Sequence, residues 1–123
     1  MPLHLDHTIV PAHDKEASAR FIAHMFGLTY DGPWGPFAPV KVDEHLSLDF
    51  DERREVVRHH YAFLASDDEF DAILGRVKAE EVAFGSAPGS MDDGKINHLH
   101  TGRGFYFRDA NGHSWEVITH TYI

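Results

Sequence analysis

His7, His60 and Glu116 are the residues of this chain whose types and settings could do chemistry together. His7 lies in the β-rich run LDHTIV, and His60 lies in a second such run, HHYAFL. Glu116 sits within GHSWEVITH, flanked by Trp115 and Val117. A carboxylate held between bulky apolar neighbours is costly unless it is paired. Two imidazoles and a carboxylate brought together from three strands make a facial set that leaves coordination positions open on Fe, Mn, Zn or Ni. Taken singly, each histidine carries little weight, because the chain has 11 of them and most histidines are structural or solvated.

An internal repeat ties His7 to His60. With an offset of 53, His7 falls on His60, Asp14 on Asp67, Glu16 on Glu69 and Ala19 on Ala72. Side chains alternate along a strand, so the adjacent pair His59–His60 must split between two faces. His60 shares a face with Ala62 and Leu64, and His59 points the other way.

The elements that would position these residues repeat as well. Each β-rich run leads into a helix with an acidic start. Asp14 is a candidate N-cap for the first, and Ser66 with Glu69 has the spacing of a capping box for the second. Apolar residues then recur at helical spacing: Ala17, Phe21, Ile22 and Met25 in one, Phe70, Ile73, Leu74 and Val77 in the other. Three strand-like pieces follow each helix. They are LTYDG, FAPVKV and HLSLDF in the first half, and EVAFG, GRGFYFRD and HSWEVITH in the second. The expected order is βαβββ, twice. Residues 86–102 are polar and glycine-rich and read as a long loop, the kind that is functional or mobile.

Composition removes several alternatives. With no cysteine, there is no disulfide frame, thiolate metal site or cysteine nucleophile. A formal net charge of −9 argues against nucleic-acid binding, which needs a basic patch. Arg53, Arg54 and Arg58 are interleaved with Asp51, Glu52 and Glu55 and read as a solvated connection. No apolar run is long enough to span a bilayer, and the opening MPLHLDHTIV lacks the basic-then-apolar pattern of a secretory leader. No membrane association and a cytoplasmic location are expected.

On the segments LDHTIV, HHYAFLA and GFYFRDANGHSWEV, the chain resembles the vicinal oxygen chelate superfamily. That group includes glyoxalase I, fosfomycin-resistance thiol transferases, extradiol dioxygenases, methylmalonyl-CoA epimerase and bleomycin-resistance proteins. The resemblance implies an α+β fold of paired βαβββ modules, forming a curved mixed sheet around a metal-site cavity. Residues 1–123 would form a single domain, with module one at about 1–53 and module two at about 54–123. It implies one divalent metal ion per site, held by His7, His60 and Glu116. Asp49 in HLSLDF matches a further carboxylate ligand of the glyoxalase-like members, or else it orients a histidine from outside the coordination shell or is a strand-end residue in water.

The implied activity is that of a metal-dependent enzyme acting on a small oxygen-chelating substrate, of isomerase, lyase, transferase or dioxygenase type. The alternative is a bleomycin-resistance-like protein that sequesters an antibiotic without catalysis, for which an acidic surface would suit a cationic drug. Substrate contacts are expected from Trp34 and Phe37, in a turn-rich segment near Tyr30, and from Lys95, His98, His100 and Arg103 in and beside the long loop. His98 and His100 are equally consistent with solvated loop residues. A symmetric homodimer is expected, with the modules paired within one chain or exchanged between two.

Overall fold

The computed structural model describes residues 2–123 and divides the chain into two units, the first ending at Val57 and the second starting at Arg58.

In the first unit, β1 (His7–Ala12) leads to helix α1 (Lys15–Phe26), then β2 (Phe37–Lys41) and β3 (Ser47–Glu52). The sheet order is β1-β3-β2, with β1 parallel to β3 and β2 antiparallel to it. Helix α1 starts where the Asp14 carboxylate accepts the Ala17 N–H (3.1 Å), satisfying one of the orphan donors of the first turn. It stops at Gly27, whose φ of 68° is the left-handed conformation that glycine adopts without a Cβ penalty. One face of the sheet is dry: Val10, Ala12, Ala38, Val40, Leu48 and Phe50 are buried, and α1 covers them with Ala19, Ile22 and Met25.

The strand expected at LTYDG does not form; residues 28–33 are irregular. The reason is local. The Tyr30 hydroxyl donates to Glu16 Oε1 (3.0 Å), and the Arg20 guanidinium lies over the Tyr30 ring. The segment is thus tied back onto α1 rather than laid along a sheet edge. The first unit is therefore βαββ, with a Trp34–Phe37 bridge closing a tight turn before β2.

The second unit runs β4 (His60–Leu64), α2 (Asp67–Ala79), β5 (Phe84–Gly85), a short 3-10 turn (Leu99–Thr101), β6 (Gly104–Arg108) and β7 (Ser114–Ile118). Its sheet order is β4-β7-β6-β5. The expected capping of α2 forms, with Ser66 Oγ accepting the Glu69 N–H (3.2 Å). Phe105, Phe107, Trp115 and Val117 line the dry face with Phe70, Ile73 and Val77 of α2, and Phe70 meets Phe105 edge-on at 5.2 Å. The turn between β6 and β7 is set by Asp109. Its carboxylate accepts the N–H groups of Asn111 (2.9 Å) and His113 (3.0 Å) and the Trp115 indole N–H (3.0 Å). Among the described residues, no helix is long and apolar enough to cross a membrane.

Candidate metal centre

Each unit covers one sheet face with its helix and leaves the other open. On the open face of the second unit, the strand registers place His60, Ser114 and Arg108 in one transverse row. Ala62, Glu116, Tyr106 and Gly85 form the next row, and Leu64, Ile118 and Gly104 the third. His60 Nε2 donates to Glu116 Oε1 at 2.8 Å. The Tyr106 hydroxyl also bonds Glu116, and the edge of its ring faces His60 at 5.9 Å. Burial, then the Glu116 carboxylate, pushes the Tyr106 phenol up to about 12, so it stays a hydrogen-bond donor at neutral pH.

His59 lies on the opposite face, as alternation requires. Its ring is 5.5 Å from that of His113 and 6.0 Å from that of Tyr61, and Tyr61 stacks on Trp115. The buried His113 ring accepts the His59 backbone N–H at 2.9 Å. His113 is therefore a structural residue that pins the start of β4 to the turn before β7.

The first unit repeats the plan. Its open face carries the row His7–Ser47–Lys41, then Ile9–Asp49–Pro39, then Pro11–Asp51–Phe37. The offset of 53 that maps His7 onto His60 becomes 67 from Ser47 to Ser114, Asp49 to Glu116 and Lys41 to Arg108. Asp49 thus stands to His7 as Glu116 stands to His60: one strand over, two residues along. Asp49 Oδ1 accepts the Ser47 hydroxyl at 2.6 Å. His7 Nδ1 donates to Asp6 Oδ2 at 2.8 Å. That bond, chiefly, and the Asp49 charge raise the His7 pKa above its ordinary value. A carboxylate on Nδ1 fixes the tautomer that leaves Nε2 as the ligating atom, a recurrent arrangement around metal-bound histidine.

Each unit therefore offers an imidazole nitrogen and a carboxylate oxygen on its open face. That donor set fits Fe, Mn, Zn or Ni. Among the described residues, no three His, Asp or Glu side chains are gathered so as to hold an ion by themselves.

The expected substrate contacts are scattered. Phe37 lies on the open face of the first sheet, and Trp34 is an exposed turn tip. Lys95, His98 and His100 are exposed. His98 and His100 lie at the Gly104 end of β6, with His100 and Thr101 both at positive φ (57° and 61°) and the His100 ring 6.0 Å from that of Tyr122. Arg103, the remaining expected contact, is paired within the unit. Its guanidinium bonds Asp71 (2.7 Å) and Asp67 (2.9 Å) and stacks 4.4 Å over Phe70, so it fastens β6 to α2.

Sequence reasoning missed Tyr106, Asp6 and Arg108. Tyr106 and Arg108 were legible in principle. Alternation in GFYFRD puts them opposite Phe105 and Phe107, and the DANG turn pairs that strand with the one bearing Glu116.

Comparison with curated proteins finds no significant match. Among solved structures, the chain is similar to "Oxidase ChaP-H2" (46% identity, 99% of this chain and 97% of that one, TM-score 0.92) and to "Oxidase ChaP-H1" (45%, 98% and 98%, TM-score 0.92). The fosfomycin resistance protein FosX from Mesorhizobium loti shares the fold at 19% identity (99% and 96%, TM-score 0.72). A lactoylglutathione lyase from Agrobacterium tumefaciens does so at 21% (95% and 93%, TM-score 0.72). The glyoxalase/bleomycin resistance protein/dioxygenase superfamily profile matches residues 4–117. With that match spanning almost the whole sequence, and with its two units each carrying a helix on one sheet face and a histidine–carboxylate pair on the other, the chain belongs to the glyoxalase/bleomycin resistance protein/dioxygenase superfamily.

Proposed function

We propose that the protein is a divalent-metal-dependent oxidase of this superfamily, acting on a small molecule with neighbouring oxygen atoms and using dioxygen as the oxidant. The observation that carries this reading is the His60–Glu116 contact on an open sheet face, repeated in register by His7 and Asp49. The likeness to two oxidases at 46% and 45% identity favours oxidation over isomerisation, lyase or transferase chemistry. It also favours an enzyme over an antibiotic-sequestering protein.

In this reading His7, His60 and Glu116 are the ligands of one ion, with Asp49 as a further carboxylate. When bound, the ion supplies Lewis acidity and open positions for two substrate oxygens. The chain's own residues do the rest. Asp6 holds the His7 tautomer through Nδ1. Tyr106 keeps its proton and, by donating it in a hydrogen bond to Glu116, orients that carboxylate. Ser47 does for Asp49 what Tyr106 does for Glu116.

The protein acts as a homodimer in this proposal. Support comes from large apolar side chains left in water, including Trp34, Val57, Leu64, Leu99 and Tyr122, which a second copy of the chain would cover.

The test is elemental analysis of the purified protein joined to an oxygen electrode. Near-stoichiometric Fe, Mn, Zn or Ni, with oxygen uptake on a vicinal dioxygenated substrate such as a catechol or hydroxyquinone, supports the reading. Failure to take up any divalent ion on titration overturns it and favours the sequestering protein.

A further inference from the structure

The two units differ by an insertion, and the insertion builds a cavity. Between helix and returning strand the first unit has residues 27–36, and the second has residues 80–103. The extra 14 residues are the change in offset from 53 to 67. Part of this segment, residues 86–94, is a closed loop. Asp93 accepts the Ser86 hydroxyl (2.6 Å) and the N–H groups of Ser86 (3.1 Å) and Lys95 (2.9 Å), and the Gly94 N–H donates to the Phe84 carbonyl (2.9 Å).

The loop folds back over the open face. A Cβ on Gly85 would overlap the Ser90 carbonyl oxygen and lie 2.7 Å from Met91 Cα, so only glycine lets the loop seat there. Met91 is buried, and its sulfur receives the Ser114 hydroxyl at 3.9 Å. Ser114 is the middle member of the row His60–Ser114–Arg108. Met91 therefore touches Ser114 of that row and also lines a cavity of about 350 Å³.

That cavity has apolar walls from Val82, Ala83, Pro88 and Met91, and two charged residues, Arg108 and Asp92. The Arg108 guanidinium has no hydrogen-bond or ion-pair partner among the described residues, Asp92 included. The other long-armed cation of this sheet, Arg103, is held by two carboxylates. Arg108 is exposed, and in a chain of net charge −9 its guanidinium at the rim of an apolar hollow offers a free fork to an anion.

We propose that this cavity is a binding site for a small monoanionic carboxylate with an apolar body. The Arg108 guanidinium pairs the carboxylate in a fork geometry, and Val82, Ala83, Pro88 and Met91 take the apolar part. Asp92 lines the same cavity and disfavours a second negative charge, which selects against dianionic phosphate. Lys41, the positional counterpart of Arg108, is exposed in the unit that lacks the insertion. The site lies wholly in the second unit and does not depend on a bound metal.

The experiment is an NMR titration of the full chain with sodium benzoate, following the Met91 methyl and Arg108 Nε signals. Saturable shifts at both are expected. Arg108→Gln should weaken the Kd by roughly ten-fold or more, the loss of a charge-assisted pair. Asp92→Asn should tighten it. The affinity should be unchanged in EDTA and in His60→Ala, which separates this site from the metal reading. Three results would overturn the proposal: no saturation at about 10 mM benzoate, the same Kd in Arg108→Gln, or equal competition by inorganic phosphate. The last would make Arg108 an unselective surface cation.

Discussion

His60 Nε2 lies 2.8 Å from Glu116 Oε1 across the parallel β4–β7 pair. The two residues are staggered by two positions, since His60 is in register with Ser114 and Ala62 with Glu116. A two-residue stagger keeps both side chains on one face, and a one-residue slip would send Glu116 into the dry side among Trp115 and Val117. The His60–Glu116 contact is thus a consequence of register.

Replacing each of the adjacent histidines reads that register directly. His60→Ala should abolish tight divalent-metal binding, while His59→Ala should leave it nearly intact, because His59 packs toward His113 and Tyr61. Calorimetric titration with Mn(II) checks this. Equal loss in both variants would mean that His59 also serves the ion.

Asp109 should matter to stability more than any other polar residue of the second unit. It accepts two backbone N–H groups and the indole N–H of the fully buried Trp115. Asp109→Ala leaves those donors without a partner. The expected loss is about 2–3 kcal/mol in urea unfolding, and a change below about 0.5 kcal/mol would show that water replaces the carboxylate.

The loop over Gly85 should loosen at acid pH. Asp93 is held below the ordinary aspartate pKa, first by the Ser86 hydroxyl and next by the Lys95 N–H. A depressed carboxylate pKa stabilises the fold above the unfolded value, and that contribution is lost as pH falls through the folded value. Amide hydrogen exchange at Ser86 and Lys95 should therefore speed up below about pH 4, beyond the change intrinsic to the chemistry. Asp93→Asn should show the faster exchange already at neutral pH.

Arg103→Gln should lower stability without touching ligand binding. Its guanidinium joins β6 to Asp67 and Asp71 of α2, a partly exposed pair of contacts that contributes about 1 kcal/mol. Thermal unfolding against metal and benzoate affinity separates the two effects. Unchanged stability with weakened ligand binding would instead support the ligand-gripping role of Arg103.

Much of this was legible in the chain. The repeat, both helix caps and the opposed faces of His59 and His60 follow from spacing and alternation. The absent strand at residues 28–33 did not, because β-like composition there is overridden by Tyr30 bonding back to Glu16. The pairing of Arg103 with Asp67 and Asp71 did not either. A cation three residues past a histidine-bearing loop looks available until tertiary folding brings it against two aspartates more than thirty residues earlier. The equivalence of Asp49 and Glu116 needed the strand registers, since the insertion in the second half breaks the constant offset.

The measurement that bears most directly on the central claim is Co(II) binding followed by its visible spectrum, in the wild type and in His7→Ala, His60→Ala and Glu116→Ala. One ion per chain is expected in the wild type, with each substitution weakening it on the order of 100-fold or more. Wild-type affinity and stoichiometry in His7→Ala would contradict a ligand set drawn from both halves of the repeat.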